Sequence, residues 1–203
     1  MTLSPLQAAQ DVLGRAEALL AAADQVSVPL VSEDMCRFAL AQGVAALDTY
    51  IHWAIADVPF KQMPKALARL EVPFGDMVAL SDAVLKKRAT IRPGVRARRA
   101  LERVILTKTF QSSRGVEEGM LLLGVRNAFA KISQEISPHQ QSADLKARLD
   151  RIVMRRNQVV HEGDLQRRSR PQVINRERVK VDSIRADIAW LRTLIMAIDK
   201  VLA

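Results

Sequence analysis

One cysteine, Cys36, stands in 203 residues. A lone thiol excludes an internal disulfide and a cysteine-rich metal centre, and makes a reducing cytoplasm the natural compartment. The three histidines, His52, His139 and His161, lie far apart, and no His, Asp or Glu cluster has ligand spacing. Neither a metal nor another cofactor is therefore expected. Aromatics are scarce, at 4%, so the core must be filled by Ala, Leu, Val and Ile. No apolar run approaches the ~20 residues that cross a bilayer. The opening MTLSPLQAAQDVLG lacks the basic and apolar regions of a signal peptide. Contact with a membrane is not expected. No glycine-rich phosphate loop and no Cys–His nucleophile arrangement occurs.

What is present is helical material and positive charge. Apolar residues make up 49%, with only 8 Gly and 8 Pro to interrupt them. Ala and Leu lose little rotamer freedom in a helix, so an all-α chain is expected. The net charge is +9. Nine basic residues lie between 86 and 108 against Glu102 alone, and nine more between 151 and 180 against Glu162, Asp164 and Glu177. Clustered arginine suits a polyanion, because its planar fork holds two phosphate oxygens at once. The plain alternative is a solvated surface.

Capping and period place the elements. Ser4-Pro5 opens a helix to about 25, and Ser32 caps a longer one to about 58. A short helix fits 64–71, and Asp76 caps another to about 90. A basic helix follows Arg92-Pro93-Gly94 to about 108. FQSSRGVEEG reads as a loop before a helical segment at 116–136. Ser142 caps a helix over 143–162, stopped by Gly163. Residues 164–181 read as a polar, basic loop with a short strand pair at VIN and VKV. Asp182 caps a last helix to about 202. The expectation is a single domain over 1–203: an antiparallel four-helix bundle with the helical pieces of 59–110 inserted and a basic loop before the last helix.

The segment RRNQVVHEGD, Arg155 to Asp164, carries the chemistry. Asn157 and His161 are four apart and share a helix face, with Arg156 beside them. A helix C-terminus favours a charged imidazole. An unperturbed histidine titrates near 6.5 and an arginine never deprotonates. Together they suit attack of a ribose 2′-OH on its own phosphate, with the imidazole moving protons and the guanidinium stabilising the crowded phosphorane. Asn157 would orient the phosphate or the imidazole. An Arg-to-His spacing also arises by chance, as a surface arginine with a helix-capping histidine.

Arg156-Asn157-Gln158-Val159-Val160-His161, near the end of a late helix in a helical bundle, resembles the signature of the HEPN superfamily: arginine, four to six residues, histidine, often with a polar residue after the arginine. RRNQVVHEGD, with IRPGVRARR and TFQSSRGVEEG upstream, is similar to the RiboL-PSP branch in particular. The likeness spans nearly all the chain. It implies a four-helix HEPN core and a homodimer with two motifs facing across one cleft. It also implies a metal-independent endoribonuclease of the kind found in toxin–antitoxin, anti-phage or RNA-processing systems. Other members have lost the motif and serve as silent RNA-binding or protein-partner modules. An acidic antitoxin or partner protein is a further expectation.

Beyond Arg156, Asn157 and His161, the candidates are RNA-binding Arg155, Arg96, Arg99, Arg167 and Arg168. Asp48 and Glu162 are candidates for orienting the motif. Asp48 would pair with Arg156; Glu162 is alternatively an exposed helix-end carboxylate. Tyr50, His52 and Trp53 read as core or interface, Asp164 as part of the loop, and Arg155 equally as a solvated side chain.

Overall fold

Ser4 starts the first helix by local hydrogen bonding. Its Oγ accepts the Gln7 backbone N–H at 3.1 Å, and Gln7 Oε1 accepts the Ser4 N–H at 2.9 Å, a reciprocal capping box with Pro5 at the first helical position. The computed structural model describes residues 3–85, 92–165 and 176–203. These hold α1 (Pro5–Ala23), α2 (Pro29–Asp57), α3 (Phe74–Leu85), α4 (Pro93–Ile105), α5 (Ser113–Leu122), α6 (Ala128–Glu135), α7 (Ser142–Glu162) and α8 (Val181–Leu202). Single 3-10 turns at Phe60–Gln62 and Leu67–Arg69 join α2 to α3. The chain is all-α; among the described residues the only β-type pairing is one antiparallel bridge, Leu165 to Arg176.

The long helices supply the core. α2 packs along α1 and also meets α4, α5, α7 and α8. Leu40, Val44, Leu47, Ile51 and Ile55 are buried along it, at the three- and four-residue steps of one helix face. From α7 come Leu145, Leu149, Ile152 and Val153, and from α8 Ile184, Ile188, Leu191, Leu194, Ile195 and Ile198. Each such side chain contributes about 1.5–3 kcal/mol when fully removed from water. α6 packs on both α7 and α8, and Arg148 of α7 reaches α8 with its guanidinium 4.8 Å above the Trp190 ring. α5 is drawn against α2 by glycine: a Cβ at Gly119 would stand 2.4 Å from Ile51 Cγ2.

Several boundaries differ from the sequence expectation. α2 begins at Pro29, and Ser32 lies inside it with its Oγ donating to Ala23 O at 2.9 Å. Asp76 sits within α3 and pairs with Arg103 rather than capping. The expected 64–71 helix is a single 3-10 turn, because Pro64 and Pro73 leave too little room. SRGVEEG is the start of α5, not loop: Ser112 caps it, accepting from Gly115 N, and Asp150 of α7 accepts from both Ser113 N and Oγ, at 2.8 and 2.7 Å. The expected 116–136 segment is two helices, α5 and α6, separated at Gly124, whose φ is +86°. Ser142 donates to Phe129 O at 3.1 Å instead of capping α7. Asp182 lies in the first turn of α8, where its charge suits the helix dipole. Of the expected strand pair, VKV forms no strand and runs into α8, whereas VIN lies outside the described residues.

Candidate functional site

The candidate motif occupies the last turns of α7, and the helix ends as the glycine requires. Gly163 adopts a left-handed φ of 59°, and Asp164 N donates back to Gln158 O at 3.0 Å. Arg156 continues the stripe of Leu145, Leu149 and Ile152, so the fold half-buries it where a leucine would be expected. Burial pushes the Arg156 guanidinium below its ordinary pKa, and the negative charge of Asp48 on α2 opposes that effect. Asp48 is thus close enough to act on Arg156 electrostatically. Asn157 and His161 are both exposed on the outer side of the same turns.

Asp48 is the hub on the α2 side. Its Oδ1 accepts the Phe110 backbone N–H at 2.6 Å, and its Oδ2 accepts from Gln111 Nε2 at 3.1 Å. His52, one turn on, has Nδ1 2.8 Å from Asp48 O and 3.6 Å from Asp48 Oδ1, with Nε2 3.0 Å from Ile105 O. Its ring centroid lies 4.9 Å from that of Phe110. The carboxylate is thus held by the start of the 110–112 connection, and its charge acts on the half-buried Arg156 across the α2–α7 contact. Nothing in the sequence pattern marks Gln111 or the Phe110 amide as partners, because they lie over 60 residues from Asp48.

A second cluster lies just beyond the motif. Asp164 is fully buried, with a left-handed φ of 61°. Arg37 Nε donates to its Oδ2 at 2.7 Å, and Arg155 grips both carboxylate oxygens. Arg37 is 4% exposed. It also reaches Asp34 Oδ1 at 3.0 Å, Glu33 Oε2 at 3.1 Å and Glu177 O at 3.1 Å. This joins the first turns of α2, the end of α7 and residue 177 into one ionic knot. Arg155 therefore spends its guanidinium on a carboxylate of its own chain. Asp164 does follow the helix, but as an interior anion. Arg37 is the residue that sequence reading passed over. Its signal was an arginine set three and four residues after Asp34 and Glu33.

The other candidates are dispersed. Arg99 is exposed on α4, and Arg96 is half-buried with its Nε enclosed and unpartnered. Arg98, between them, caps α2 by donating to Ala56 O and to Val58 O at 2.9 Å, and stacks 4.4 Å over Phe60. Glu162 is half-buried beside His161. Arg167 and Arg168 lie outside the described residues. Tyr50 is buried and donates to Asp199 Oδ1 at 2.8 Å, Trp53 is partly exposed, and His139 is exposed in the turn before α7. Among the described residues no three His, Cys, Asp or Glu side chains gather as metal ligands would, and no helix is long and apolar enough to cross a membrane. Comparison with protein-family models, with curated proteins and with solved structures finds no match for this chain.

Proposed function

We propose that this chain is a metal-independent endoribonuclease of the HEPN type, acting as a homodimer with Arg156, Asn157 and His161 at its reaction centre. The observation that carries the reading is the placement of Arg156. A half-buried guanidinium on the core stripe of α7, with Asp48 opposing the burial effect, is a fixed positive charge in a region of reduced dielectric. Such a charge stabilises a developing phosphorane more than a solvated one does. His161, exposed at the same helix end, can take the 2′-OH proton as that oxygen attacks the adjacent phosphorus. The bond from phosphorus to the 5′-oxygen then breaks, and the leaving oxygen needs a proton. One chain supplies one motif histidine, so His161 of a second copy would be the acid. The four long helices α1, α2, α7 and α8 would form the HEPN core, and exposed Arg99, with Arg96, would track the RNA backbone. A toxin, anti-phage or RNA-processing role follows from the same resemblance.

The test is cleavage of mixed cellular RNA in excess EDTA, with the product ends mapped. The wild type should cut and leave 2′,3′-cyclic phosphates, and His161→Ala and Arg156→Ala should each abolish cutting. Activity that disappears with EDTA, or that survives both substitutions, rejects the proposal. Salt-dependent RNA binding without cleavage would identify a silent binding module instead.

A further inference from the structure

A cleft of about 260 Å³ lies between α7 and the start of α8. Its floor is apolar: Leu40, Ile152 and Ile184 are buried beneath it, and Met154 is exposed on its α7 wall. Its rim is cationic. Arg151 stands on α7, and Arg178 and Lys180 on the segment leading into α8, all three exposed. Among the described residues none of these three forms an ion pair or a side-chain hydrogen bond. Arg155 also lines the cleft, but Asp164 holds its guanidinium. Of the described lining residues one, Asp187, carries a carboxyl group. Arg148 pairs with it at 3.5 Å, Arg151 acts on it as well, and burial favours its neutral form. Glu177 and Asp182 are exposed next to the basic segment but line no part of the cleft. The charge left over in the cleft is therefore positive.

The cleft runs toward the motif. Met154 is two turns before His161 on the same helix face, and Gln158, which also lines the cleft, is one turn before it. Arg151 precedes His161 by ten residues, about 15 Å along the helix. A single small anion is held by cations that converge on one point. Cations spread over two walls above an apolar floor fit a chain of phosphates joined by less polar sugars and bases. The strand that reaches His161 must be unpaired, because A-form pairing keeps the 2′-oxygen out of line with the leaving 5′-oxygen.

We propose that this cleft holds the backbone of single-stranded RNA beside the phosphate to be cut, with Arg151, Arg178 and Lys180 as its phosphate contacts. The inference rests on the reading of α7 as a ribonuclease motif and gives the path of its substrate. None of the described lining residues is aromatic, so the bases gain little stacking there and the binding is chiefly electrostatic. Three phosphate contacts to a single strand contribute about −2 to the slope of log affinity against log salt. Such contacts carry no base information, so the cleft binds different sequences about equally.

The probe is a labelled single-stranded RNA with every 2′-hydroxyl methylated, which attack by the 2′-oxygen cannot cut. The full chain is titrated into it at several salt concentrations, and fluorescence anisotropy gives the slope. Arg151→Gln, Arg178→Gln and Lys180→Gln should each weaken binding and reduce the slope by about 0.7, and the triple variant by about 2. Lys61→Gln, at an exposed lysine in the turn after α2, should match the wild type. All the substituted side chains are exposed, so the fold should persist, and circular dichroism checks it. A wild-type chain that binds no RNA, or a triple variant with the wild-type slope, overturns the proposal. So does a polyglutamate peptide that binds as tightly with the same dependence on the three side chains, which assigns the cleft to an acidic protein. The two readings fail separately. Cleavage in EDTA with an unchanged slope in the triple variant removes the cleft and keeps the chemistry. A reduced slope without any cleavage keeps the cleft as an RNA site and removes the chemistry.

Discussion

Replacing Asp164 by asparagine tests the ionic knot with the least change of shape. Asparagine has almost the same volume and, like aspartate, tolerates the left-handed backbone that Asp164 adopts at φ 61°. Only the charge is removed. The carboxylate is 0% exposed and Arg37 is 4% exposed, so the substitution leaves a buried guanidinium short of its closest anion. Breaking a buried pair in this way costs about 3–5 kcal/mol. Two features soften it: Arg37 keeps Asp34 and Glu33 at 3.0 and 3.1 Å, and Arg155, 28% exposed, can turn to water. The expected loss is therefore at the lower end, about 3 kcal/mol. In urea, with a slope of about 2 kcal/mol per molar, the midpoint should fall by roughly 1.5 M. In a thermal scan the drop should be about 6–12 °C for a chain of this size. Circular dichroism at the helix band reads both. A loss under about 1 kcal/mol would refute the reasoning and mean that water already reaches the site. A double substitution, Arg37→Met with Asp164→Asn, should cost less than the sum of the singles, because each single strands the other partner.

Other outcomes follow from the same structure. Gly119→Ala should cost about 1–3 kcal/mol by overpacking, since the added carbon meets Ile51 at 2.4 Å; chemical denaturation measures it, and Gly14→Ala, with open space around it, is the control. Burial holds the Asp187 carboxyl above its ordinary pKa despite Arg148. Its protonated form is thus favoured by folding, a contribution present at acid pH and lost as pH rises through the folded pKa. Asp187→Asn should accordingly raise the denaturation midpoint at neutral pH, and the gain should vanish in acid. Cys36 is fully buried, and burial chiefly raises its thiol pKa. A disulfide reagent should react with it only at the rate of unfolding, and prompt labelling of the folded chain would contradict this packing. Asp48→Asn should keep the fold, since its amide oxygen still accepts from Phe110, and should slow RNA cleavage about tenfold or more if its charge tunes Arg156; an unchanged rate argues against that pairing.

Local chemistry made much of this protein readable from the chain alone. The Ser4-Pro5 start, the apolar steps of α2 and α8 and the glycine stop at 163 each depend on residues within a turn or two of one another, so periodicity and capping suffice. The same locality places Asn157 and His161 on one face of α7. What failed was also local in form but tertiary in cause. Ser32, Asp76 and Ser142 have capping chemistry, yet their side chains bond to Ala23, Arg103 and Phe129. Asp150 lets α5 begin before its first apolar residue by accepting from Ser113 across 37 positions.

The tertiary structure alone decided which charges face inward. In sequence nothing singles out Arg37, Asp164 reads as part of a loop, and Arg155 reads as an RNA-binding or solvated side chain. Folding brings Arg37 and Asp164 together across 127 positions and closes water out. A charge survives there only with its counter-charge, and no one-dimensional pattern encodes that pairing. The same holds for Arg156. Its place beside a histidine motif can be read from the chain, but its burial, and the carboxylate of Asp48 opposing the cost of that burial, exist only once α2 and α7 have met.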